Sequence, residues 1–265
     1  MQKARGLEYE VTGDGEAVLT IHGALIADTF LPVCREAALA DRYRLIRYRR
    51  RGHGGSDPYS GAITLEVPAQ DAVALLEHLG VERTHVIGHS GGGLMAVQLA
   101  LQAPELVHSL VLLEPAIFPP DAMSAFLESA TPVLEAYGSG DPQRALDLWM
   151  ELVSVGADWR TDVESSLPGA VKQAENDCAA FFEAELPAIP GWVFDAEQAK
   201  HITQPVLYAV GSKSGPLYEA AAQHFQTLVP QTERVELPGV DHAMLTSDPR
   251  LVAETAAKFL ARHPI

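Results

Sequence analysis

Cysteine and positive charge are both scarce in this 265-residue chain. Cys34 and Cys178 lie far apart and lack metal-type spacing, so they read as reduced packing residues, and neither a disulfide scaffold nor a metal site is expected. Nineteen Lys/Arg against 35 Asp/Glu leave a net charge of −16, which argues against nucleic acid and anionic membrane surfaces as partners. No apolar run approaches the ~18 residues that span a bilayer, and the stretch from Met1 to Glu10 has no apolar signal-like core. A cytoplasmic location is the expectation. Internal repeats and low-complexity tracts are also missing. What the chain does have is 47% hydrophobic residues, enough to bury a large core in one α/β domain with an insertion.

Short apolar, β-branched stretches predict strands at Leu7 to Val11, Ala17 to Ile21, Arg44 to Tyr48, Thr84 to Ile87, His108 to Leu113, Pro205 to Val210 and Thr232 to Leu237. Apolar residues three or four apart predict helices at Asp28 to Leu39, Thr64 to Leu79, Gly92 to Gln102, Leu217 to Val229 and Pro249 to Arg262. Alternation of this kind implies a mostly parallel sheet covered on both faces, with active groups at the C-terminal strand ends. Residues 118–200 break the pattern with helices alone. The clearest has Asp141 as N-cap, Pro142 at its first position and Gly156 as its stop. This segment is expected to be a helical cap, leaving 1–117 and 201–265 as the core. It carries fifteen Asp/Glu and four Lys/Arg, a solvated acidic surface that would also disfavour anionic substrates.

The motif Gly88-His89-Ser90-Gly91-Gly92 falls between a strand and a helix. A serine at such a tight turn is held in a strained backbone conformation with its hydroxyl free, and small neighbours let helix and strand pack closely. Ser90 is therefore the candidate nucleophile.

The chain resembles the α/β-hydrolase superfamily over nearly its whole length. The likeness is carried by His22-Gly23, Arg51-Gly52-His53-Gly54-Gly55-Ser56, the serine turn and Gly239-Val240-Asp241-His242. It implies an α/β-hydrolase fold, with the first antiparallel strand expected to be missing or vestigial, and no metal or organic cofactor. By the same resemblance His242 is the general base, while His22 braces its loop and His89 packs under the turn. The acid after the later strand is absent, because Gly211-Ser212-Lys213-Ser214 offers Ser214 in its place. Glu114, ending Leu113-Glu114-Pro115, is the candidate acid and Glu219 the reserve. This placement resembles that of zearalenone-type lactonases. The backbone N–H groups of Ala24 and Gly91 are the implied oxyanion donors, and Trp192, Phe118 and Trp149 are candidate substrate contacts. Arg49 stands where an aspartate is common.

These residues together predict a serine hydrolase that cleaves a neutral or apolar ester or lactone through an acyl-enzyme. Carbon–carbon bond hydrolysis of diketones, cofactor-free oxygenation, perhydrolysis and ligand reception without turnover remain open on the same fold. The oligomeric state also stays open, a homodimer being one arrangement.

Overall fold

Successive side chains of a strand point to opposite faces of its sheet, and here both faces are apolar. In the computed structural model, which describes residues 1–265, the strands are β1 (Gln2–Ala4), β2 (Leu7–Thr12), β3 (Glu16–Ile21), β4 (Tyr43–Arg49), β5 (Thr84–His89), β6 (Val107–Leu113), β7 (Val206–Gly211) and β8 (Glu233–Leu237). They form one sheet in the order β1-β2-β4-β3-β5-β6-β7-β8. The β1–β2 and β2–β4 pairs are antiparallel and the remaining pairs parallel. Leu19, Val86, Leu110, Leu112, Tyr208 and Val210 pack on one face among residues of helices Glu66–His78, Gly91–Gln102 and Pro216–Leu228. Val18, Ile87, Val111, Leu113, Leu207 and Ala209 pack on the other, where Phe259 and Leu260 of helix Pro249–Leu260 belong to the same core.

The first strand is not missing but vestigial. β1 is only three residues long, polar and largely exposed, so it leaves no apolar alternation to read. The helix expected from Asp28 to Leu39 is instead two single turns, Leu31–Cys34 and Ala37–Ala40, separated where Glu36 adopts an extended backbone. Asp28 lies ahead of both and takes a different task. Its carboxylate pairs with Arg47 and, at 2.6 Å, with Arg49, while Arg49 also reaches Glu8 at 2.8 Å and Arg47 reaches Glu10 at 2.8 Å. Arg49 thus joins β4 to β2 and to the loop after β3.

Between β6 and β7 every regular element is helical, from Pro120–Ser129 to Ala196–Ala199. The side chain of Asp141 caps helix Pro142–Leu152 by accepting from the Arg144 N–H at 3.0 Å. That helix stops at Leu152 rather than Gly156; Val153 closes it and Ser154 takes the positive φ of 60° that glycine was expected to supply. Further on, Ala180–Glu185 widens into a π-turn two residues before Pro187. Proline has no N–H for the carbonyl four residues back and its ring crowds that carbonyl, which accounts for the widening. No helix is long and apolar enough to cross a membrane.

Burial would push the Asp28 carboxyl up, but Arg49 and Arg47 more than offset this and hold it below its usual range; Glu8 is lowered against its own burial by the Gly55 N–H and Arg49. Both carboxylates therefore contribute stability at neutral pH that is lost as pH falls through their depressed folded values. Arg49→Asp would set a third carboxylate beside them. Thermal unfolding at neutral pH is expected to show a loss of about 1–3 kcal/mol, discounted for partial exposure. The loss should shrink as the buffer is taken below pH ~4, where carboxylates protonate.

Candidate active site

Ser90 ends β5 and begins helix Gly91–Gln102 with φ 53° and ψ −123°, a conformation that L residues rarely adopt. Its N–H donates to Leu113 O at 3.0 Å, and its carbonyl accepts from Gly93 N and Ala116 N at 2.9 and 3.2 Å. Only glycine fits beneath it: a Cβ on Gly92 would stand 2.2 Å from Ile21 O, and one on Gly88 2.6 Å from Gly92 O. The Ser90 residue is buried, so its hydroxyl opens to an enclosed space rather than to bulk water.

His242 follows β8 by a loop that turns at Gly239, where φ is 80°. Its Nδ1 lies 2.6 Å from Glu114 Oε2, and the other Glu114 oxygen accepts the Gly211 N–H at 2.7 Å. Glu114 has no solvent exposure and a φ of 45°. A buried carboxylate accepting at Nδ1 leaves the proton there and the lone pair on Nε2, the tautomer that a base needs. The His242 ring is held from both sides. Tyr218 stacks on one face with centroids 4.5 Å apart, and His89 lies at 4.6 Å on the other, its Nε2 contacting His242 O at 3.0 Å. Burial and the nearby His242 ring hold His89 well below the usual histidine range, so it stays neutral.

Ser90 and His242 share the walls of a cavity of about 60 Å³ with Ala24, Ile26, Met150 and Leu245. A second, more enclosed chamber continues past Ser90, Ala24 and Gly91 to Phe118, Phe126 and Phe181. Trp149 and Val153 line both and divide them. No Lys or Arg lines either one. The Ala24 N–H makes no hydrogen bond within the chain, and Gly91 occupies the first turn of its helix, where N–H groups have no helical acceptor. Both are free to receive an anion.

Phe118 and Trp149 are thus in the chamber walls and Trp192 is not. The Trp192 indole donates to Gln98 Oε1 at 2.9 Å and stacks on Phe194, pinning the end of the inserted segment to helix Gly91–Gln102. Glu219 is also set apart, bonded to Arg234 and Gln223 at the surface. Ser214 is buried with its hydroxyl unpaired. His22 accepts the Arg50 N–H at 3.0 Å, which ties the loop after β3 to the end of β4. Tyr218 and Met150 were not legible as site residues, since each falls within an ordinary helical segment.

The family model described as the alpha/beta hydrolase family matches residues 18–255. The chain belongs to that family and is an enzyme of it. RutD of Variovorax paradoxus strain S110, provisionally named a carbamate hydrolase, is 29% identical over 97% of this chain and 96% of its own length. Among solved structures, a thermophilic esterase from Thermogutta terrifontis aligns with a TM-score of 0.77 at 22% identity, covering 98% of this chain and 94% of its own. The enol-lactonase of Burkholderia xenovorans LB400 aligns at 0.73 and 21% identity, covering 96% of each chain. These structural likenesses are in the fold.

The short contact to a fully buried carboxylate should mark the His242 Nδ1 proton in NMR. It is expected downfield of the other histidine ring protons and shielded from exchange, and Glu114→Gln should move it upfield. A resonance unmoved by that substitution would remove Glu114 as its acceptor.

Proposed function

We infer that the chain is a serine hydrolase of neutral carboxylic esters, lactones included, with Ser90 as nucleophile, His242 as general base and Glu114 as the orienting acid. The reading rests above all on the 2.6 Å contact between His242 Nδ1 and a carboxylate with no other route to solvation than the Gly211 N–H. His242 takes the Ser90 proton as the oxygen attacks the carbonyl carbon. The charge that develops on the carbonyl oxygen is met by the Ala24 and Gly91 N–H groups. His242 then protonates the departing alcohol and next accepts a proton from the water that releases the acid. Ser90 and His242 line the same cavity, and a hydrogen bond between such partners tightens when a substrate excludes water from the site.

Substrate choice follows from the walls. Two apolar chambers without a cationic side chain suit a neutral substrate with an apolar group on each side of the carbonyl. Residues 118–200 act as the cap that shapes both, over a core of 1–117 and 201–265. The relatives named for esterase, enol-lactonase and carbamate hydrolase activity are all named for bonds in which a carbonyl is joined to oxygen. A panel of p-nitrophenyl esters, lactones, p-nitrophenyl carbamates and vinylogous diketones would rank these classes and separate carbon–oxygen from carbon–carbon cleavage.

Ser90→Ala should abolish both ester turnover and covalent labelling by a fluorophosphonate; an adduct forming at the wild-type rate would refute the nucleophile. Glu114→Gln should lower turnover by about 10⁴, because the imidazole loses its preferred tautomer and its cation is no longer stabilised. Glu219→Gln should leave turnover close to wild type. Phe126→Ala, which enlarges the chamber beside Phe118, should shift preference towards bulkier esters while fluorophosphonate labelling stays intact. Uniform slowing on all esters would instead make Phe126 a purely structural residue.

A further inference from the structure

Arg50 and Glu185 form an ion pair that the chemistry above does not use. Their side chains are 1% and 3% exposed, and they join the end of β4 to the π-turn of the inserted helices. The contact is bidentate: Nε donates to Oε1 at 2.9 Å and Nη2 to Oε2 at 2.7 Å. Tyr59 OH adds a donor to Oε1 at 3.2 Å. Burial pushes the Glu185 carboxyl up, and the Arg50 charge and hydrogen bonds more than cancel this, so the pair is ionised.

The rest of the guanidinium faces backbone. Nη1 donates to His22 O, and Nη2 to Gly23 O at 3.1 Å. The Arg50 backbone N–H can only donate, so His22 Nε2 is its acceptor and the ring proton sits on Nδ1, 2.9 Å from the same Gly23 O. Burial and the Arg50 charge hold His22 far below its usual range, which keeps the ring neutral. Two donors therefore fix the Gly23 carbonyl. In a trans peptide the N–H points opposite to the C=O, so these contacts aim the Ala24 N–H away from Arg50, on the side where Ala24 and Ser90 line the chambers. Hydrogen bonds to the carbonyl also polarise the peptide and strengthen its N–H as a donor. The π-turn that carries Glu185 supplies Phe181 to the wall of the enclosed chamber. One turn thus holds both a substrate wall and the anchor of Arg50.

We propose that Arg50, braced by Glu185, is a positioning residue that sets the Gly23–Ala24 peptide for oxyanion stabilisation and makes that peptide depend on the seating of the inserted helices. This rests on the reading of Ala24 as an oxyanion donor. Arg50→Met alone would strand a buried carboxylate, whereas apolar replacement of both partners of a buried pair is commonly tolerated. The test is therefore Arg50→Met combined with Glu185→Leu, with Glu185→Gln carrying the same measurements should the double variant not fold. The measurements are kcat and KM on a p-nitrophenyl ester, inhibition by a trifluoromethyl ketone, and amide exchange at Ala24 by NMR. The expected result is a fall in kcat of roughly tenfold to a hundredfold, part of the ~10²–10³ lost when an oxyanion donor is deleted. KM should change little, ketone affinity should fall in step with kcat/KM, and the Ala24 amide should exchange faster. A folded variant with wild-type kcat and wild-type Ala24 exchange, or a loss confined to KM, overturns the proposal. Failure of the wild type to turn over the ester or bind the ketone would count against the hydrolase reading instead; Ala24 exchange would then decide this proposal alone, and equal exchange in the two proteins would overturn it.

Discussion

The Glu114 carboxylate is wholly removed from water, and a charge so placed destabilises the fold unless donors meet both of its oxygens. It finds one in the Gly211 N–H at the end of β7 and one in His242 after β8, so three segments distant in sequence converge on a single group. The positive φ at Glu114 adds strain that persists only because its neighbours over-determine it. The loop carrying His242, the stacking of Tyr218 and the contact from His89 all take their position from this arrangement. The serine turn next to it is fixed by different means, the close approach of backbone at Gly88 and Gly92.

Core and insertion divide the labour between them. The core contributes Ser90, His242 and Glu114, and the inserted helices contribute most of the apolar wall. Polar contacts join the two: Trp192 to Gln98, Tyr218 OH to Val153 O at 3.2 Å, the Gly54 N–H to Asp177 at 2.7 Å, and Arg50 and Tyr59 to Glu185. Each is directional where the surrounding packing is not, so together they set where the insertion sits.

The sequence made the sheet and the serine turn readable because both follow local rules. Burial on both faces of β3, β5, β6 and β7 leaves continuous apolar runs, and a glycine-flanked serine between strand and helix has few other uses. Glu114 could be singled out because a charge ending an apolar strand stands out. The three-residue β1 could not, being short, polar and exposed. The break at Glu36 lay hidden within a helical stripe, and the end of helix Pro142–Leu152 at a positive-φ serine ran against the usual preference for glycine. Trp192 shows a broader difficulty. An aromatic in a helical segment packs equally well as wall, strut or latch, and the choice depends on a tertiary partner, here Gln98, that no local pattern reveals. The same holds for Arg49, whose meaning becomes clear only when Glu8 and Asp28 are brought beside it.

In the proposed hydrolysis of a neutral ester, the chambers that suit the substrate are a poor place for the acid left behind. Cleavage turns an uncharged substrate into a carboxylate, and no cationic side chain in either wall can take the place of its lost hydration. The inserted residues 118–200 carry fifteen Asp/Glu against four Lys/Arg. The newly formed anion is therefore pushed outward by the same surroundings that welcomed its precursor. Product inhibition by the acid should be weak, and turnover should be paced by acyl transfer rather than by departure of the product.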